Sequence, residues 1–289
     1  MRTTGIASAR VKLKRAKHHI TSVMADVEAF EQSDPHGIKA DWLSAEETPT
    51  ELVYAISITK WGEPNADLPA KLGDCFTNLR AALDHSVYGH ACTTLASNKK
   101  RALTDTERRN LYFPLARTQK SLDASAKFLA PKVHSFVVSI HDLEKDWQST
   151  DPKIRHLALL REFVNYDKHE AVIPGMADLH VSGITTQNCV EFIANRVQYN
   201  NGKVEIGRPI LRLPFRKLRE IADAERQNLL TGLTVKFPLV LRLPNYVPET
   251  NLHVGEPLTI PREPPLTETL QGMYEAVESV IDELERLGL

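Results

Sequence analysis

Residues 72–92 read Leu-Gly-Asp-Cys-Phe-Thr-Asn-Leu-Arg-Ala-Ala-Leu-Asp-His-Ser-Val-Tyr-Gly-His-Ala-Cys. Apolar side chains recur at Leu72, Phe76, Leu79, Leu83 and Val87, the three-and-four spacing of one helical face. The helix begins near Asp67 or Pro69, since proline is well tolerated in a first turn. Asn78, Arg80, Asp84 and His85 stand beside the stripe. A helix of this length, apolar on one side and chemically equipped next to it, sets the first part of the chain as helical.

Upstream, residues 7–32 carry a second helical pattern, with Val11, Leu13, Ile20, Val23, Met24, Val27 and Phe30 as its apolar members. Its first half is basic: Arg10, Lys12, Lys14, Arg15, Lys17, His18 and His19. Such a run is either a solvated face or a phosphate-contacting one. Asp34-Pro35-His36-Gly37 signals a turn. Residues 38–44 and 51–60 then alternate around Glu46-Glu47-Thr48-Pro49, which predicts a β-hairpin at about 36–60.

Downstream, Thr104-Asp105-Thr106-Glu107 caps a short helix. Pro114 biases Phe113 toward extended backbone. Two short helices follow at 121–130 and 131–142. A stronger one starts at Pro152 and runs through Leu157, Leu160 and Phe163 to about His169. Past residue 170 the pattern becomes β-rich, with strands expected at 171–174, 179–186, 190–199, 204–213 and 234–243. Asn200-Asn201-Gly202 marks a hairpin turn, and residues 244–265 form a proline-rich connector. A final helix spans 266–287. The expected class is α+β: a helical part over 1–170 with an inserted hairpin, a β-rich region over 171–265, and a C-terminal helix over 266–289 docking back.

With 289 residues, 42% hydrophobic and 25% charged, the chain has an ordinary globular composition. A formal net charge of −1 gives no global attraction to nucleic acid or membrane. No apolar run reaches the length of a membrane span, and the first residues lack the apolar core of a secretion signal. Three cysteines (Cys75, Cys92, Cys189) without CxxC spacing fit a reducing compartment. The expectation is a cytoplasmic protein without membrane partners.

Arg80 and Asp84 lie about 40° apart around the helix and can pair directly. Arg80 and His85 lie about 140° apart. They need a second helix, or a second copy of the chain, to converge on one ligand. Asn165 and His169, four apart near the end of the Pro152 helix, are candidates to complete such a site. Lys168 is a candidate ion-pair partner for Asp84. His85, His90 and His169 lack the i, i+3 or i, i+4 spacing of helical metal motifs, so no metal is expected. No GxxxxGK[ST] or GxGxxG loop is present, and no cofactor is expected.

The arginine, four residues, histidine pattern of Arg80 and His85 resembles the HEPN superfamily. Together with Phe113-Pro114-Leu115 and Asn165-Tyr166-Asp167-Lys168-His169, the surrounding pattern also resembles a group of bacterial proteins of unassigned activity. The HEPN resemblance implies a metal-independent RNA endonuclease of toxin–antitoxin or phage-defence type, acting as a homodimer and regulated by an antitoxin or another partner protein. In it Arg80 would hold the scissile phosphate. His85 would act as general acid or base at the ribose 2′-OH, a role that suits a side chain titrating near neutrality. Asn78, Asp84, Asn165, Lys168 and His169 would support them. The alternatives are a non-catalytic HEPN-like module that binds nucleotide, RNA or protein, and an interaction protein with a buried polar network.

Overall fold

The computed structural model describes residues 5–109, 111–141, 149–167, 175–176, 180–182, 185–199, 205–231, 234–237, 239–241 and 265–289. The expected strand at 171–174, the Asn200-Asn201-Gly202 turn and the connector through residue 264 lie outside them, as do Lys168 and His169. The protein is α+β. Its helices are α1 (Ile6–Gln32), α2 (Leu68–Lys99), α3 (Asp105–Arg109), α4 (Gln119–Ala126), α5 (Pro131–Ser139), α6 (Pro152–Asp167), α7 (Asp223–Arg226) and α8 (Leu266–Arg286). Its strands are β1 (Gly37–Trp42), β2 (Glu51–Lys60), β3 (Gly175–Met176), β4 (His180–Ser182), β5 (Thr185–Thr186), β6 (Val190–Phe192), β7 (Gln198–Tyr199), β8 (Pro209–Lys217), β9 (Leu230–Thr231), β10 (Thr234–Lys236) and β11 (Leu239–Val240).

Four long helices form a bundle in which chain order is also spatial order. On α1 the buried residues are Ile6, Ala9, Leu13, Ala16, Ile20, Val23 and Val27. They alternate in threes and fours, the seam of a helix packed lengthwise on another. Val11 is not among them; it is 58% exposed, and alanines hold the seam in its place. On α2, Leu68, Leu72, Cys75, Leu79, Ala82 and Ser86 repeat the same spacing. Cross-links give the direction: Ser8 meets His85, His19 faces Asp74 and Lys71 bonds Asp26, so α1 and α2 are antiparallel. Phe76 stacks on Phe163 at 5.3 Å between centroids. Asp167 lies against Gly73, which makes α6 antiparallel to α2. The C-terminal helix α8 docks back between α6 and α1. Arg10 reaches Asp282 and Glu285, and Lys17 sits over the Tyr274 ring.

The second core is a sheet of order β1-β2-β8-β6, with β7 also on β8, all antiparallel. Sequence pattern groups the hairpin with the helices; β2 instead pairs with β8 along Glu51–Ser57. The sheet therefore draws strands from both sides of residue 170. Pro214 sits inside β8 without breaking it. Its carbonyl accepts from Ile193 N–H, where the flanking edge turns through Ala194–Arg196 between β6 and β7. The missing proline donor thus points where no strand needs it. Leu52, Ile56, Ile58, Leu211, Leu213 and Phe215 fill this core.

At the α6–α8 contact the His156 ring presses on Gly272, so that a Cβ there would fall on the ring. Burial holds His156 below its ordinary value. In an open helix Gly→Ala gains about 1 kcal/mol. At this site Gly272→Ala should instead cost about 1–3 kcal/mol from overpacking, measured by urea unfolding. Adding His156→Ala should make the double variant's loss smaller than the sum of the two single losses. Simple additivity would count against the contact.

Candidate functional site

The polar residues of α2 are oriented by its buried stripe. With Leu72, Phe76, Leu79, Leu83 and Val87 all buried, Arg80 and Asp84 emerge on one flank and His85 on another. On the first flank lies the extended segment 111–117. Arg80 Nε donates to Asp84 Oδ2 at 3.1 Å, and Nη2 lies 3.0 Å from Oδ1. The same Nη2 donates to the Phe113 carbonyl at 2.8 Å, while Phe113 N–H donates to Asp84 Oδ1 at 3.0 Å. The ion pair thus presents one donor and one acceptor to a single residue, as a neighbouring β-strand would. The guanidinium also lies 5.7 Å from the Tyr112 ring centroid. The Phe113 side chain is fully buried.

On the other flank His85 Nδ1 is 2.8 Å from Ser8 Oγ on α1. Arg80 and His85 therefore belong to two contacts, with α2 between them. Asn78 is buried and donates to its own helix, at the Asp74 carbonyl 2.8 Å away. Asn165 is exposed. The α6 end stands beside Gly73, about 16 Å along α2 from Asp84 at 1.5 Å per residue. Asn165 is accordingly level with the first turns of α2, not with Arg80. Lys168 and His169 lie outside the described residues. The carboxylate expected to meet Lys168 is occupied by Arg80 and Phe113 N–H.

A second ionic group, which the sequence pattern did not single out, holds the same segment from α6. Arg161 and Glu162 are both buried. Arg161 Nη1 donates to the Ala116 carbonyl at 2.7 Å and Nε to Glu162 Oε1 at 2.6 Å. Arg117 Nε donates to the same oxygen at 2.9 Å, and its Nη2 bonds Oε2. The signal for this group is positional: these charges fall in the apolar run from Leu157 to Val164, where a charge needs partners. His90 has a similar role, its Nε2 accepting from Ala130 N–H at the start of α5. That bond requires the unprotonated nitrogen, and burial holds the ring below its ordinary value.

Among the described residues no three His, Cys, Asp or Glu side chains come together to hold a metal ion, and no helix is long and apolar enough to cross a membrane. Burial pushes the Cys75 thiol up to about 12, the state of a small core residue and not of a nucleophile. Near the α6 end, burial and the neighbouring Asp74 raise the Asp167 carboxyl. No protein-family model matches this chain, and no curated protein or solved structure matches it either.

The clamp has a measurable signature. Asp84→Ala leaves Phe113 N–H and the guanidinium without their acceptor, and should lower stability by about 1–3 kcal/mol. His85→Ala removes one half-buried hydrogen bond, to Ser8, and should cost about 1 kcal/mol. Urea unfolding of the two variants side by side gives the comparison. A larger loss at His85 than at Asp84 would contradict the assignment.

Proposed function

We propose that this protein is a non-catalytic HEPN-like module that binds RNA, with Arg80 acting as a structural residue. The observation that carries the reading is the engagement of Arg80. Its Nε and Nη2 are taken by Asp84 and the Phe113 carbonyl, and its partner histidine is bonded across a different interface. An arginine that stabilises a phosphorane needs donors aimed at the ligand, and these are aimed at the protein's own backbone.

The binding surface on this reading is α1. Lys14, Arg15, Lys17 and His18 are exposed. Lys14, Arg15 and His18 share one face with the exposed Val11. Among the described residues no carboxylate lies within ion-pair distance of Lys14 or Arg15. Arg10, by contrast, is neutralised by Asp282 and Glu285. A local row of this kind suffices for phosphate contact even when net charge is near zero. A homodimer and a protein partner follow from the same resemblance, and light scattering on the purified chain reads the first.

Titration of a labelled single-stranded RNA should show binding at low salt. With about three phosphates neutralised, the log–log salt slope should be about −2. Lys14→Glu with Arg15→Glu should remove binding while leaving the melting temperature unchanged. In EDTA the RNA should remain intact. Cleavage to 2′,3′-cyclic phosphate ends, lost in folded Arg80→Ala or His85→Ala protein, would overturn the reading in favour of the ribonuclease. Absence of binding at low salt would remove RNA as the ligand.

A further inference from the structure

The strongest departure from ordinary packing lies away from α2, in the turn between α1 and β1. His36 is only 8% exposed, and among the described residues neither ring nitrogen has a hydrogen-bond partner. Three aromatic rings enclose it: Trp61 at 4.6 Å between centroids, Phe237 at 5.4 Å and Phe30 at 5.8 Å. Trp61 and Phe237 also meet each other at 5.9 Å.

This box is where the chain passes between its two cores. Phe30 packs on the helical core, Trp61 and Phe237 on the sheet core. His36 follows α1 and leads into β1. Trp61 leaves β2 toward α2. Phe237 directly follows β10, and beyond it Leu239 and Leu241 join the helical core. Three passages are therefore fastened to one imidazole. The backbone is drawn tight around it: a Cβ at Gly37 would stand 2.5 Å from Thr59 Oγ1, and one at Gly62 would stand 2.9 Å from the Pro35 carbonyl oxygen.

A neutral imidazole here leaves a donor and an acceptor unmet, a state that a phenylalanine of similar shape would avoid. What the histidine adds is a proton site. Among the described residues two charged groups act on it: Asp34 on its own turn favours the cation, and Lys60 at the end of β2 opposes it. From the α1 end and the β10 side the described contacts are the Phe30 and Phe237 rings. We propose that His36 is a proton-operated latch between the bundle and the sheet, closed around the neutral ring and released when the ring takes up a proton in water. Such a latch would operate whether or not α1 binds RNA.

The direction of linkage follows from the burial, which lowers His36 from its ordinary value near 6.5. The closed state binds fewer protons than the open one. Its stability is full above about pH 6.5 and declines as pH falls from there toward the lowered value. One proton taken up on opening makes the opening constant rise by as much as tenfold per pH unit in that window.

Hydrogen exchange on the full chain between pH 7.5 and 5.5, corrected for intrinsic rates, tests this in peptides covering 34–42 and 234–241. In wild-type protein their opening should steepen below about pH 6.5, approaching tenfold per unit, while α2 peptides stay protected. His36→Phe should flatten the response, and His156→Gln should leave it in place. Opening independent of pH in wild type, a retained slope in His36→Phe, or a lost slope in His156→Gln would each overturn the proposal. If His36→Phe does not fold, the His36 Cε1 resonance in wild-type protein decides. A midpoint below the ordinary value supports the latch, and an ordinary midpoint with the box still protected rejects it.

Discussion

The peptide group of Phe113 is the point on which the helical half depends. A segment laid across helices has no ladder to join, and buried backbone groups without partners are costly. Residues 111–117 meet this requirement through side chains. Asp84 and Arg80 serve Phe113 from α2, and Arg161 serves Ala116 from α6. Each arginine is in turn charge-balanced by the acid next to it. The two clips fasten one strap across two bundle helices and fix the route by which the chain reaches α4, α5 and α6. Such pairs add little net stability compared with an apolar replacement, but removing one member is costly. Their role is to specify a path more than to add free energy.

The long elements are legible in the sequence because burial leaves a period there. The stripe Leu72, Phe76, Leu79, Leu83, Val87 faces the core as its spacing predicts, and α8 extends over nearly the whole range expected of it. Val11 is misleading, because an exposed valine beside alanines mimics a seam that Ala9 and Ala16 carry. The pairing of β2 with β8 leaves no trace in the local pattern. Alternation shows that a strand has a buried face, but not which distant strand lies beside it. The aromatic box is hidden for the same reason, since Phe30, His36, Trp61 and Phe237 meet only in three dimensions.

At the polar helix, the angle between Arg80 and His85 follows from the helical repeat alone, and the two side chains do find separate partners. Nothing in the repeat says what those partners are. One is a carbonyl in an extended segment and the other a serine on α1. A side chain's spacing along a helix tells where it points. Whether a ligand or the protein's own backbone waits there depends on the loops, whose course is the least legible part of a sequence.

The antiparallel sheet has a consequence in the time order of synthesis. β2 emerges from the ribosome with Leu52, Ile56 and Ile58 ready for burial, but its partner β8 follows roughly 160 residues later. At about 5–20 residues per second, that hairpin waits on the order of ten to thirty seconds. The bundle waits longer, because α8, which fills the space between α1 and α6, begins roughly 50 residues after β8 ends. The sheet core is thus completed only after β8 has been made, and the bundle only after α8. In the interval the nascent chain carries two incomplete apolar surfaces, and those are the surfaces a folding chaperone would meet first.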